Sequence, residues 1–167
     1  MLNGAVLVFL PANGTYTVLV EGLHLGPYNL AMKSLDVNGK PQTFVKIPGI
    51  ANVGSTATYQ VQFNATPGAH STVTSMTTFA SALADVSNGF KAGLITKQPV
   101  EQALTDLLIL ARDASYRNDR LDHDIERAAL GVFKAVVSAE TNKQITGTEP
   151  QVLQNDASYL ISQIPSD

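Results

Sequence analysis

The chain has 167 residues, a formal net charge of −3 and a charged content of 15%, below the roughly 25% that is typical of globular domains. This balance excludes nucleic acid as a partner, because phosphate binding needs a basic stripe and the sequence carries none. The chain has no cysteine, which excludes a disulfide framework and thiol chemistry, and no apolar run approaches the roughly 18 residues of a membrane span.

Charge is distributed unevenly along the chain. The charged residues that precede residue 73 are Glu21, Lys33, Asp36, Lys40 and Lys46, and all the others follow it. A change in composition at one place is typical of a domain boundary. The sequence therefore predicts an α+β chain in two parts, with an antiparallel β domain over 1–70 and a four-helix bundle over 71–167.

Apolar and polar residues alternate with a period of two in three segments of the first part, at 15–21, 26–34 and 56–63. The residues of the apolar faces are Tyr16, Val18, Val20, Tyr28, Leu30, Met32, Tyr59, Val61 and Phe63. This alternation predicts antiparallel strands that cover a core on one side. Together with the apolar segment 4–10, it predicts about six strands in a small β-sandwich or half-sandwich. The expected turns are Pro11–Gly14, Gly26–Pro27, Asn38–Pro41 and Pro48–Gly49.

The first part resembles β-sandwich segments found towards the ends of large secreted bacterial proteins. Their pattern combines tight turns at proline and glycine with tyrosine-containing strands and an aspartate-containing hairpin. The matching residues are Pro11, Gly14, Tyr16, Val18, Val20, Gly22, Gly26, Tyr28, Leu30, Asp36, Gly39, Tyr59, Val61 and Phe63. The resemblance spans 11–63 and implies a piece of a secreted or surface-attached protein.

The second part changes to a helical period, with apolar residues at i, i+3 and i+4 in four stripes. The first stripe, which Gly89 and Gly93 are expected to end, consists of Val73, Met76, Phe79, Ala80, Leu83, Val86 and Phe90. The second, which begins at Pro99, consists of Val100, Ala103, Leu104, Leu107, Leu108, Ala111 and Ala114. The third consists of Leu121, Ile125, Ala128, Ala129, Val132, Phe133, Val136 and Val137, and the fourth of Val152, Leu153, Ala157, Leu160, Ile161 and Ile164. Four such helices predict an antiparallel bundle.

Capping residues mark the starts of the last two helices. We expect Asn118 or Asp119 to cap the third. At the fourth, Thr148 and Gln151 predict a capping box, in which the Thr148 hydroxyl accepts the Gln151 amide and the Gln151 side chain reaches back.

The second part resembles the FIMAH-type helical domains of secreted bacterial proteins. The residues that carry the resemblance are 93–96, Val100, Leu104, Leu108, Ala111, the segment 129–146, Leu153, Ala157, Leu160 and Ile161. The most specific of them are Phe133, Val136, Ala139, Lys143, Ile145 and Thr146. Domains of this type are often appended to polysaccharide-active enzymes, so the resemblance implies an accessory role with no catalytic residue.

His123 is a candidate metal ligand because it lies between Asp122 and Asp124. A helical metal site needs a second ligand one turn away, as in His-x-x-x-His, and that pattern is missing. Asp119 and Glu126 share a face with it, but acids in a first turn are what the helix dipole favours. We therefore expect a solvated first turn and assign no metal ligand.

The segment 36–40 (DVNGK) begins like a calcium loop but lacks the later oxygen ligands, so it predicts a hairpin turn. Tyr16, Tyr28 and Tyr59 lie on apolar strand faces, and we expect them in the core. Tyr116, in the break after the second stripe, is the best exposed aromatic for stacking on a sugar. We assign no catalytic residue and no cofactor.

The sequence favours a non-catalytic accessory or interaction region of a larger secreted or cell-surface prokaryotic protein. Its expected partners are upstream domains of the same polypeptide, neighbouring copies, or cell-wall and extracellular polysaccharide. The main alternative is a self-assembling subunit of a filament, sheath or surface layer, and a third is a hydrolase with an unrecognised site. We also expect residues 72–167 to fold alone and residues 1–70 to fold poorly, because small domains with open sheet edges bury little surface.

Overall fold

The chain is described from a computed structural model, which covers residues 12–117 and 120–166. Within these residues, strands come first and helices follow, which confirms the α+β class. The strands are β1 (Gly14–Glu21), β2 (Gly26–Leu35), β3 (Pro41–Ala51), β4 (Thr56–Phe63) and β5 (Thr72–Ser75). The helices are α1 (Phe79–Lys91), α2 (Gln98–Ser115), α3 (Arg120–Glu140) and α4 (Glu149–Gln163). The predicted strand at 4–10 lies outside the described residues.

The strands form two antiparallel sheets. One has the order β1–β4–β5, and the other is the hairpin β2–β3. The predicted period of two is confirmed, because Tyr16, Val18 and Val20 are partly buried while the residues between them are exposed. On β4 the same alternation buries Tyr59 and Val61.

The turn predicted at Pro48–Gly49 is wrong, because both residues lie inside β3. Asn29 pairs with Pro48 and Tyr28 pairs with Gly49. The ring of Tyr28 lies over Gly49, where a Cβ would collide with it. Glycine here allows close packing within a strand instead of a turn. Gly26–Pro27 likewise begins β2 and does not form the predicted turn.

The hairpin turn predicted at 36–40 is confirmed. Asp36 Oδ1 accepts hydrogen bonds from the backbone N–H groups of Asn38 and Lys40, each at 2.8 Å. The Asp36 side chain thus closes the turn between β2 and β3, the usual role of aspartate at such a position.

The first helix begins later than its apolar stripe predicts. Val73 lies in β5 and pairs with Val61, and α1 starts after Thr78. Thr78 forms a capping box with Ser81, in which each side-chain oxygen accepts from the other residue's backbone N–H, at 3.1 and 2.9 Å. Those two bonds fix the start of the helix. The apolar spacing between Val73 and Met76 does not, because it is compatible with one long helix and equally with a strand followed by a helix.

The other helices correct the sequence predictions at three places. Leu121 and Val132, expected in the core, are exposed, and the first turns of α3 instead bury Asp122, His123 and Glu126. The expected solvated first turn is therefore wrong, because that face of α3 is the one that packs towards its neighbouring helices. The third correction concerns the N-cap of α4. The residues predicted to cap α3, Asn118 and Asp119, lie outside the described residues.

The capping box predicted for α4 is wrong. Thr148 is the N-cap but makes no side-chain capping bond, since its own backbone is helical, at φ −89° and ψ −10°. An N-cap hydroxyl reaches the next turn only from an extended backbone. The Gln151 side chain donates instead to Asn155 Oδ1 at 2.8 Å.

The main core lies entirely among the helices. Its buried residues are Ala82, Val86, Ile95, Leu104, Leu108, Ala111, Ala129, Leu130, Phe133, Val137, Ile145, Leu153, Ala157, Leu160 and Ile164. In the described strands, the buried apolar residues are Ile50, Tyr59 and Val61. The sheets therefore have little core of their own, and they reach the helices where α1 and α4 pack against β3.

Candidate functional site

The strands and the helices meet at a cleft of about 380 Å³. Its walls come from β3, β4, the connection between β5 and α1, and the facing sides of α1 and α4. Among the described residues that line the cleft, none is Lys, Arg or His. Within the described part of the chain, the acids in its wall therefore face no cationic side chain.

Two tyrosine hydroxyls form the side of the cleft that belongs to the strands. The hydroxyl oxygens of Tyr28 and Tyr59 lie 2.7 Å apart, in a hydrogen bond that joins the two sheets. The alternation along β2 and β4 places both rings on inward faces. Burial raises the pKa of both hydroxyls, so both keep their protons at physiological pH.

Two carboxyl groups form the helical side of the cleft: those of Asp85 on α1 and Asp156 on α4. Asp156 Oδ1 accepts a hydrogen bond from the Thr77 hydroxyl at 2.9 Å. Hydrogen bonding between this carboxyl and that of Asp85 raises the pKa of Asp85 and lowers that of Asp156. Two carboxyl groups hydrogen-bond to each other only when one of them is protonated, so this contact favours one proton shared by the pair. Asp156 is buried, whereas Asp85 is half-buried.

A third acid, Glu149, lies two turns before Asp156 on the same side of α4 and is fully buried. Its carboxyl packs on the backbone of Gly89 in α1, where a Cβ would collide with it. Neither carboxyl oxygen of Glu149 has a hydrogen-bond partner in the described part of the chain. Asp85, Glu149 and Asp156 follow the contact between α1 and α4, and we call these three residues the carboxyl seam.

The carboxyl seam holds protons into the neutral range. Burial, and then the charge of Asp156, raises the pKa of Glu149 to about 8. Burial also raises the pKa of Asp85 and of Asp156, and the charges of Asp156 and Glu149 raise that of Asp85 further. Hydrogen bonds from Thr77 and Asp85 favour ionised Asp156 and oppose part of its rise. The shared proton belongs to the Asp85–Asp156 pair rather than to either residue.

A carboxyl pair with a shared proton can serve three chemical purposes. It can act as a general acid and base, bind a cation, or hold two elements together through its hydrogen bonds. No group of three or more His, Asp or Glu side chains in residues 12–117 and 120–166 lies close enough to hold one metal ion. The Thr77 bond and the burial of Asp156 link α1, α4 and the end of β5, so the contacts favour the third purpose.

The residues singled out from the sequence lie elsewhere or play other parts. Tyr116 follows α2, is 77% exposed, and does not line the cleft. His123 is buried on α3 together with Asp122, whose carboxyl lies 3.8 Å from a guanidinium nitrogen of Arg117. Tyr28, expected in the core, forms part of the cleft wall.

Comparisons of the chain with family models, with curated proteins and with solved structures give no significant match. None of the helices in the described residues has the length and apolar content needed to cross a membrane.

The carboxyl seam was missed in the sequence because its members are far apart along the chain. Two signals pointed to it. Glu149 and Asp156 share a side of α4 with the apolar residues Val152 and Leu153, so both acids lie within a buried stripe. Gly89 lies inside a helix, where glycine costs about 1 kcal/mol relative to alanine, and such a glycine indicates close packing.

Proposed function

We propose that this chain is a non-catalytic interaction region of a larger secreted or cell-surface prokaryotic protein. The observation that carries the proposal is the apolar tip of the strands. Leu23 and Val53 are 61% and 73% exposed, and Leu25 beside them is 41% exposed. We call these three residues the tip surface.

The tip surface is built on a fixed backbone. The Gly22 N–H donates to the Ser55 carbonyl at 2.7 Å, and the Gly54 N–H donates back to the Gly22 carbonyl at 2.9 Å. These bonds tie the β1–β2 loop to the β3–β4 loop. Ordered loops that present several apolar side chains to solvent are typical of protein interaction sites. This placement supports docking against a neighbouring protein domain.

The proposal includes a finer description of the fold. The two sheets face each other as a small half-sandwich, and the four helices form an antiparallel bundle. The Tyr28–Tyr59 bond supports the first description, together with the bond that the Ser71 N–H donates to Thr43 Oγ1 at 3.1 Å. The shared core of the helices supports the second.

The test uses the longest polypeptide that the gene encodes. Hydrogen exchange is compared in the loops 22–25 and 52–55 between that polypeptide and the 167-residue chain. We expect both loops to exchange more slowly in the longer polypeptide, and Leu23→Asp to remove the difference. Val37→Asp, at an exposed apolar residue in the β2–β3 turn, is the control. Equal exchange in the two proteins, or a gene that encodes no longer polypeptide, contradicts docking on an upstream domain.

A second candidate function is self-assembly along strand edges. Within the described residues, β1 has a strand partner on one side only, namely β4. An open edge of this kind can accept a strand from another copy. Sedimentation over a wide range of concentrations tests it: a monomer at every concentration contradicts self-assembly, and growing oligomers support it.

A further inference from the structure

Acids with buried carboxyl groups lie beside the contact between the strands and the helices. On the strand side, the neighbouring titratable groups are Tyr28 and Tyr59. Burial raises the pKa values of both, and the charges of Asp85 and Asp156 raise them further. The part of β3 that lines the cleft, 47–51, brings no titratable group. Ionisation of the seam therefore places negative charges side by side, and none of the described residues in the cleft wall supplies a cation to balance them.

An independent observation shows that this arrangement needs protons. Glu149 is fully buried, and neither of its carboxyl oxygens accepts a hydrogen bond in the described part of the chain. Asp156 Oδ2 is also buried, and no permanent donor among the described residues bonds to it. An ionised carboxylate in such surroundings is costly, and a protonated one costs far less.

We propose that the carboxyl seam is a pH-sensitive latch between the strands and the helices, closed while its acids share protons and released as they ionise. In the closed state, Asp156 links Asp85 on α1 to Thr77 at the end of the strands. When Asp85 loses its proton, its bond to Asp156 becomes a repulsion between two carboxylates. The α1–α4 contact then loosens beside β3, and the strands lose their main support.

The direction of the pH effect follows from the raised pKa values. Below about pH 3, the acids are protonated in both the folded and the unfolded chain, so the free energy of unfolding does not change with pH through these groups. As the pH rises, the unfolded chain ionises first while the folded chain keeps its protons, and stability falls. The loss continues through the pKa of about 8 of Glu149 and ends only above the raised pKa of Asp85. Acid conditions thus favour the closed latch.

The first experiment measures the Tm of the full chain between pH 5 and pH 9 by circular dichroism. We expect the wild-type Tm to fall by at least about 5 °C over this range, because several proton equivalents are involved. Asp85→Asn keeps a donor towards Asp156 without a charge, and Glu149→Gln removes the buried charge. Each variant is expected to reduce the fall by about half. Asp106→Asn, at an exposed position on α2, is the control and keeps the wild-type fall.

A Tm that does not change with pH, or an equal fall in Asp85→Asn, Glu149→Gln and the control, overturns the proposal. The use of two seam variants guards against a failure of either one to fold.

The second experiment distinguishes local release from general destabilisation. Hydrogen exchange is followed at pH 6 and pH 9, with labelling times scaled so that the intrinsic exchange is equal. We expect the protection of 47–51 and 56–63 to fall at least about tenfold more than that of α2 and α3. The difference should be small in Asp85→Asn. A uniform loss of protection over strands and helices overturns the latch.

A third measurement tests whether the same acids bind a cation instead of protons. The exchange at pH 9 is repeated with calcium chloride at millimolar concentration. The latch predicts the same exchange with and without calcium. Restored protection of the strands in the wild type, absent in Asp85→Asn, overturns the proton latch and assigns the seam to cation binding.

Discussion

The strands and the helices of this chain differ sharply in how they are held together. The helices share a continuous apolar core with fully buried large side chains such as Phe133, Leu104 and Leu130. The strands fully bury few apolar residues, and Val37, Phe44 and other large apolar side chains on them or in their loops are exposed.

This difference shows why the polar contact between the two regions matters. A region with little apolar burial has a small margin of stability, since burial is the main favourable term in folding. The strands therefore depend on the hydrogen bonds of Tyr28, Tyr59 and Thr77 and on their packing against α1 and α4. A change in these few contacts is therefore expected to affect the strands more than the helical core.

The largest expected effect comes from separating the two regions between Thr77 and Thr78. Residues 78–167 keep the helical core and the capping box of α1, so we expect a cooperative thermal melt. Residues 1–77 include β5, which pairs with β4, yet they lose the support of α1 and α4, so we expect no cooperative melt. Circular dichroism of each fragment checks both outcomes. A cooperative melt of 1–77 at the melting temperature of the whole chain would show that the strands do not depend on α1 and α4 for stability.

A matched pair of phenylalanine substitutions compares the two regions within the intact chain. Phe133→Ala removes a fully buried ring, and we expect the free energy of unfolding to fall by about 3–5 kcal/mol. Phe44→Ala removes a ring that is 71% exposed, and we expect a change within about 0.5 kcal/mol. Urea denaturation of both variants measures the two values. Similar losses of unfolding free energy at both positions would contradict the difference in apolar burial between the helices and the strands.

A pair of glycines tests the close approach of α1 and α4. Gly89→Ala pushes a Cβ into the Glu149 carboxyl, and we expect a loss of about 1–3 kcal/mol from overpacking. A Cβ added at Gly131 on α3 meets no atom of the described residues within 4 Å, apart from its own helix backbone and chain neighbours. We expect Gly131→Ala to stabilise the chain by about 0.5–1 kcal/mol, because alanine favours a helix. Denaturant melts of the two variants should therefore move in opposite directions, and a shared direction refutes the packing assigned to Gly89.

The smallest expected effect distinguishes the observed capping box at Thr78 from the one predicted at Thr148. Thr78→Ala removes the hydroxyl oxygen that accepts a hydrogen bond from the Ser81 N–H, and it should cost about 1 kcal/mol. Thr148→Ala removes a buried hydroxyl that has no hydrogen-bond partner in the described residues, so we expect no loss of stability. Equal losses in thermal melts of the two variants would show that Thr148 caps α4 after all.

Local patterns in the sequence predict the elements of this fold better than its contacts. The alternation around Tyr16 and Tyr59 predicts strands with the correct inward faces, because a strand's period of two depends on backbone geometry alone. The same reasoning fails at Pro48–Gly49, where packing under Tyr28 overrides the turn preference of both residues.

The carboxyl seam shows the limit more clearly. Asp85 and Asp156 are brought together by the antiparallel packing of α1 on α4, and no local spacing specifies that contact. The strength of their electrostatic coupling depends on burial, which the chain acquires only when the two helices and β3 meet. The sequence alone therefore predicts neither the shared proton nor the raised pKa of Glu149.

Proton binding by the buried carboxyls at the contact between strands and helices can be measured directly. Carbon NMR of the labelled full chain follows the side-chain carboxyl resonances of Asp85, Glu149 and Asp156 from pH 3 to pH 10. We expect a Glu149 midpoint near its pKa of about 8 and linked titration of the Asp85–Asp156 pair above the ordinary aspartate range. Midpoints near 4 for all three carboxyls, the value of free acids, would contradict this expectation.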